Sequence, residues 1–287
     1  MRLLDPDPLV GWAMAVARRA EPDLEHTLRA FDAVAPEYDA ANRQNAILEG
    51  MRRRALATLA AHAAAGAHVL DLGCGPGTDF EALAGAGYRV TALDGSAVMV
   101  DQARRRAEAI AHPGVVQVHR MGIQEIDRLP AGAYDAAYSS FGPLNCVPSL
   151  EQAATLLAAR LRPGGVLVAS VIGRLCPWEI ACYAWKRDWA RVKVRFASDF
   201  VPVPMGREQI WTRYYSPAEL ERPFRAAGFR RVSLRALAVL VPPPYMAAAA
   251  ARHQRVTNGL QAVEDRIAHW PGLRSLGDHF LIVLRRC

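Results

Sequence analysis

Three groups of residues have the types and spacing to do chemistry. In the first, Gly73, Gly75 and Gly77 alternate after Asp71, and Asp94 comes seventeen residues after the last of them. Glycine lets the main chain approach a ligand closely because no Cβ intervenes. A carboxylate such as Asp94, at the end of a neighbouring strand, can accept from both hydroxyls of a ribose, each charge-assisted bond contributing roughly 1.5–3 kcal/mol. In the second group, His279 follows Asp278. It is the best candidate for a base oriented by a carboxylate, and the competing reading is a histidine tying the last strands together. The third is the aromatic run Trp178, Tyr183, Trp185, Trp189, Phe196, Trp211, Tyr214 and Tyr215. It can roof a pocket for an aromatic or lipophilic ligand, with Trp178, Tyr183 and Tyr215 as candidate contacts, or pack an appendage onto the core. Arg187, Arg191 and Arg195 recur at i, i+4 and i+8, as anion ligands or as a solvated face. Asn145 could orient a substrate or cap its loop. Five cysteines without a CxxC pair give no zinc-site spacing, and no metal is expected.

The elements that must position these residues alternate. Helical periodicity marks Leu24–Val34 and Ile47–Leu59, separated by the polar stretch 36–42. Ala67–Leu72, Tyr88–Leu93, Val115–His119, Tyr134–Ser140 and Val166–Ile172 read as strands, and Arg231–Leu240 and His279–Leu284 as two more. Thr78/Glu81 and Ser216/Glu219 have capping-box spacing, Ser96 and Ser149 are N-caps, and Arg162-Pro-Gly-Gly165 is a turn. Strands alternating with helices give a doubly wound, seven-stranded, mostly parallel α/β sheet. Residues 1–64 form a helical N-terminal lid. The core is 65–287, with insertions 174–215 and 242–277 covering the active site.

The cofactor class follows from spacing. A dinucleotide fingerprint starting at Gly73 would need its third glycine where Thr78 stands. Asp71 and Asp79 flank the loop, which disfavours a pyrophosphate and suits a ligand carrying an amino group and a positive sulfonium. Val69-Leu-Asp-Leu-Gly-Cys-Gly-Pro-Gly-Thr78 resembles motif I of the class I S-adenosylmethionine (SAM)-dependent methyltransferases, Ala92–Met99 their second motif, and Leu161–Val168 the turn into their fifth strand. Phe31–Asp39 is similar to the segment that closes over SAM in small-molecule members. The resemblance implies a Rossmann-like fold, SAM as methyl donor and S-adenosylhomocysteine as product. It implies that Gly73, Cys74, Gly75 and Gly77 line the methionine part, that Asp71 acts on its ammonium and that Asp94 holds the ribose. Gly95, Ser96 and Met99 then flank the adenine. Gly122, Ile123 and Gln124 read its edge, with Ile123 where the family has aspartate and Gln124 as the replacement. Ser139, Ser140 and Phe141 lie beside the sulfonium, and Tyr38 covers the cofactor.

Composition bounds the alternatives. The 287 residues are 52% hydrophobic, which excludes a disordered chain. Pro242-Pro243-Pro244 interrupts the most apolar stretch, so the expectation is a cytoplasmic protein without a membrane partner. The net charge of +7 is spread over short arginine groups. The expected activity is methylation of an O, N or C atom of a small aromatic or lipophilic metabolite, of the kind met in secondary metabolism. Strand four ends Ser139-Ser140-Phe141 without the motif that methylates base amino groups, which weighs against a nucleic-acid substrate. A SAM-binding protein without transferase activity is the third reading, a thiol-dependent arsenical methyltransferase the fourth, and the oligomeric state, a homodimer included, is left open.

Overall fold

The computed structural model describes residues 23–111 and 115–287. The part of the N-terminal lid expected over residues 1–22 lies outside them. Nine strands occur among the described residues: β1 (His68–Leu72), β2 (Arg89–Asp94), β3 (Val116–Arg120), β4 (Tyr134–Ser139), β5 (Leu161–Ile172), β6 (Val201–Met205), β7 (Glu208–Thr212), β8 (Phe229–Leu237) and β9 (His279–Arg286). Seven of them form one sheet in the order β3-β2-β1-β4-β5-β9-β8, and β6 and β7 form a separate hairpin. The neighbours from β3 to β5 pair in parallel, and β9 runs antiparallel between β5 and β8.

Eleven α-helices accompany them among the described residues: α1 (Leu24–Arg43), α2 (Ala46–His62), α3 (Phe80–Gly85), α4 (Ala97–Glu108), α5 (Pro143–Cys146), α6 (Leu150–Arg160), α7 (Pro177–Trp185), α8 (Trp189–Val194), α9 (Pro217–Ala226), α10 (Ala247–Arg252) and α11 (Gln254–Ile267). Helices cover both sheet faces, which is why the strands read as nearly continuous apolar runs. Along β1 the faces alternate. Leu70 and Leu72 join a core with Leu150 and Leu157 of α6 and Phe224 of α9, while Val69 joins the opposite core with Ile47, Met51 and Leu59 of α2.

The expected caps hold at Ser96, Ser149 and the Ser216/Glu219 box. Three local expectations need correction. Helix α1 runs unbroken through 36–42 with Pro36 inside it. Pro36 lacks the N–H that would reach the Asp32 carbonyl, and tertiary bonds on either side hold the helix together: Gln102 Nε2 donates to Ala35 O at 2.9 Å and Arg106 to Asp39 at 2.7 Å. Thr78 is not the cap of α3. Asp79 occupies that position, and the Thr78 hydroxyl instead donates to Asp39 Oδ1 at 2.7 Å. The turn at 162–165 follows the end of α6 as expected but lies inside β5, which starts at Leu161 and not Val166, as a bulge: Leu161 pairs with Tyr134 and Val166 with Ala136, with Gly164 at φ 80° between them.

The β6–β7 hairpin was not expected. Val201, Val203 and Ile210 alternate with polar residues and prolines around Gly206 at φ 62°, a strand-turn-strand pattern hidden by Pro202 and Pro204.

Candidate active site

The glycine loop turns sharply at the carboxyl end of β1. The N–H groups of Gly73 and Cys74 both donate to Leu93 O at 2.9 Å, pinning the loop to the end of β2. Gly73, Gly75 and Gly77 have φ of 76°, 54° and 77°, a region open to glycine at no steric cost. Their surroundings differ. A Cβ on Gly73 would stand 2.5 Å from Pro143 and one on Gly77 2.5 Å from Phe80, whereas one on Gly75 would enter open space. Gly73 and Gly77 therefore let the protein close on itself, and Gly75 faces the crevice.

Asp94 ends β2 and accepts from Gly75 N (Oδ2, 2.9 Å) and Ser96 N (Oδ1, 2.9 Å). Burial raises its pKa, and these main-chain donors oppose the rise. Below it Asp71 is almost fully buried. Burial, then the neighbouring Asp79 and Asp94 carboxylates, holds Asp71 well above the usual carboxylate range, with Arg52 opposing. Asp79 takes Arg52 Nη1 at 2.5 Å and the Tyr138 hydroxyl at 3.1 Å, and Arg52 lies 4.9 Å over the Phe141 ring. One arginine thus serves two buried carboxylates, and Asp71 is the one left facing the crevice floor.

Helix α1 closes the side through two registers seven residues apart. Leu24, Thr27, Leu28, Phe31 and Tyr38 share the helix stripe that lines the crevice. Next to Phe31 and Tyr38, Asp32 and Asp39 dock the helix. Asp32 accepts the Ser96 hydroxyl at 2.5 Å and Val98 N at 3.0 Å at the start of α4, and Asp39 holds Thr78 and Arg106. Helix α2, placed with α1 in the expected lid, instead packs into the core below the sheet.

The cavity is about 200 Å³ and adjoins a smaller one of about 50 Å³ at Asp71, Cys74 and Asp79. Tyr38, Gly73, Gly75, Ser140 and Phe141 border both. Asp94, Gly95, Met99, Gly122, Ile123 and Gln124 line the inner end. Ile123 is buried in the core, and the Gln124 side chain folds over Gly122, where a Cβ would stand. The outer end is apolar: Val147, Ile172, and Met205 and Ile210 of the hairpin, with Cys146 and Thr212. Burial pushes the Cys146 thiol up to about 11 and raises the Tyr38 hydroxyl.

Several expected contacts lie elsewhere. Ser139 is fully buried in the sheet, and Gly77 and Ser96 support the wall without lining it. His279 stands at the expected sheet edge, paired with Ile172, but behind Phe141, whose ring meets it edge-on at 6.2 Å. Its Nδ1 is 2.9 Å from Asp278 Oδ2, and Asp278 takes Arg195 at 2.6 Å. This is the strand-tying role, not a wall position. Asn145 is fully buried and spends its amide on main chain: Nδ2 donates to Arg213 O (2.7 Å) and Ile172 O (3.1 Å), and Oδ1 accepts from Ile172 N (2.9 Å). Tyr215 is core, and Trp178 and Tyr183 are half-buried off the crevice.

The three arginines do not share a face. Arg187 precedes α8, Arg191 lies over Tyr183 at 5.4 Å, and Arg195 is buried between Glu179 and Asp278. Of the two insertions, 174–215 supplies crevice wall through the hairpin, and 242–277 supplies none of the lining residues.

Residues 69–165 match the family model of the methyltransferase domain. The chain contains a class I SAM-dependent methyltransferase domain. Within the methyltransferases, a ubiquinone biosynthesis O-methyltransferase of Methylocella silvestris is 32% identical over 162 residues, 56% of this chain and 57% of the relative. The chain spans about half the length of curated relatives such as this one. The [4+2]-cyclase SpnF shares the fold at a TM-score of 0.62 with 18% identity, covering 93% of this chain and 97% of that one. A Burkholderia thailandensis 1,6-didemethyltoxoflavin-N1-methyltransferase, solved with its ligand and S-adenosylhomocysteine, gives a TM-score of 0.55 with 20% identity over 94% and 92% of the two chains.

The methyltransferase crevice fits SAM on its own residues. Gly75 leaves room where a Cβ would intrude, Asp94 keeps lone pairs beyond its two main-chain bonds for a ribose, and Asp71 places at the floor a carboxyl that burial biases towards its neutral form and that a bound ammonium would favour as the carboxylate.

Proposed function

We propose that this methyltransferase transfers the methyl group of SAM to an O, N or C atom of a small, lipophilic or aromatic acceptor. The observation that carries the reading is the polarity gradient along one crevice: the glycine loop, Asp71 and Asp94 at the inner end, and Phe31, Val147, Met205 and Ile210 at the outer end. SAM supplies an electrophilic methyl on a positive sulfur. The protein's part is alignment, since holding nucleophile and methyl in line can supply most of the rate. Asp94 orients the ribose, Gly73 and Gly75 let the main chain flank the methionine, Tyr38 and Phe31 exclude water, and Phe141 separates the reaction zone from the His279 network. Tyr38 and Cys146 keep their protons at neutral pH and do not act as bases. The acceptor therefore brings a nucleophile that needs no strong base. An outer end lined by Val147, Ile172, Met205 and Ile210 in a cavity of about 200 Å³ favours a small molecule over a nucleic acid.

Calorimetry with SAM and S-adenosylhomocysteine tests the cofactor half of the reading. Incubation with a panel of phenols, quinols, amines and carboxylic acids, read by mass spectrometry for a gain of one methyl, tests the transfer. Absence of nucleoside binding overturns the whole reading. Tight binding with no methylated product from any lipophilic acceptor overturns the transfer.

A further inference from the structure

Among the described residues, the corner between α7 and α8 is the most exposed aromatic surface. Trp185 ends α7 at 90% exposure and Trp189 begins α8 at 59%. Trp189 and Lys193 stand four residues apart on α8, and Phe196, 47% exposed, follows in the turn that ends it. Basic residues surround the rings. Lys186 and Lys193, the chain's only lysines, both fall here and are exposed, as is Arg187. The single acid between residues 185 and 196 is Asp188, whose carboxylate caps α8 by accepting from Arg191 N.

The corner is braced from beneath. Arg195 is buried between Glu179 and Asp278 and donates to Gly173 O at 2.9 Å, while Arg174 reaches Ala197 O at 2.6 Å and Glu219 at 2.7 Å. The tryptophans are thus displayed outward on a tied scaffold. The same segment touches the crevice wall, since Val194 of α8 clusters with Val201 and with Ile172, which lines the cavity.

Exposed indole rings interleaved with lysine and arginine suit the boundary of a lipid bilayer, where the rings sit at headgroup level and the cations meet anionic headgroups. We propose that the α7–α8 corner seats this protein on an anionic membrane surface. No helix among the described residues is long and apolar enough to cross a membrane, and a peripheral contact needs none. The expectation of no membrane partner rested on the sequence having no spanning segment, and this proposal departs from it. The surface stands on its own residues. That it also brings the crevice mouth to a lipophilic acceptor rests on the methyl-transfer reading.

The test is flotation of the full chain with neutral phosphatidylcholine vesicles and with vesicles containing phosphatidylglycerol, at low and high salt, without SAM or acceptor. The expected result is binding to the anionic vesicles alone, weakened by salt, with a blue shift of tryptophan fluorescence. Trp185→Ala/Trp189→Ala and Lys186→Glu/Lys193→Glu should each weaken it by about tenfold or more, with unchanged circular dichroism and S-adenosylhomocysteine binding. Absence of vesicle binding, or equal binding by both variants, overturns the proposal. So does a wild-type dimer in light scattering that the tryptophan variant dissociates, because the face then belongs to a second copy. None of these readouts depends on methyl transfer.

Discussion

The two ends of the crevice are built by different means. The inner end is local: Asp71 to Gly77 and Asp94 to Met99 lie within 29 residues and meet because β1 and β2 are parallel neighbours. Its polar contacts are main-chain groups and carboxylates. The outer end is assembled from α1, α5, the end of β5 and the β6–β7 hairpin, spread from Leu24 to Thr212. Its contacts are apolar side chains, each replaceable by another of similar volume. The inner end can therefore be broken by one atom, and the outer end can only be reshaped. That division matches a fixed cofactor and a variable acceptor.

Gly75→Arg should have the largest effect. A side chain there enters the crevice from a backbone at φ 54°, and S-adenosylhomocysteine affinity should fall by more than about 100-fold in calorimetry while the fold survives. Gly75→Arg binding the nucleoside normally would show the inner end misplaced.

Asp94→Ala removes charge-assisted bonds of roughly 1.5–3 kcal/mol and should weaken the same affinity about 10- to 100-fold. Ile210→Ala enlarges the outer end. Once an acceptor is known, its KM should rise about tenfold, within the roughly 1–3 kcal/mol that apolar pocket contacts discriminate, and nucleoside affinity should not change. Equal loss of both affinities would merge the two ends into one cooperative site.

The smallest effect concerns the bond that ties the outer end down. Although partial burial pushes Glu219 up, hydrogen bonds from Arg174 and Ser216 bring its pKa to about 2 from an ordinary 4.5. A depressed acid stabilises the fold above its unfolded pKa, so this contribution is complete above about pH 4.5 and fades as the pH falls towards 2. Glu219→Gln should flatten that acid limb in urea titrations followed against pH. An unchanged limb would show that the Arg174–Glu219 contact does not hold the insertion.

The inner end was legible in the residues because its chemistry is consecutive. A strand, three glycines in the positive-φ region and a second strand ending in an acid leave few alternatives, and the doubly wound, mostly parallel sheet followed from the alternation of elements. The outer end was not legible. Asn145, Tyr215 and His279 have side chains suited to substrate work, yet the fold uses Asn145 to satisfy three buried main-chain groups, Tyr215 as core and His279 in an ion network. Met205 and Ile210 carried no signal of their own in the sequence, and the unexpected hairpin makes them wall.

Sequence alone determined that a doubly wound sheet presents a SAM-type glycine loop beside a ribose-binding acid, because those features depend on backbone conformation and on neighbours close along the chain. Tertiary structure alone decided which side chains face the acceptor, because a residue that reaches the crevice through long-range packing differs from one buried behind it only in where remote segments come to rest.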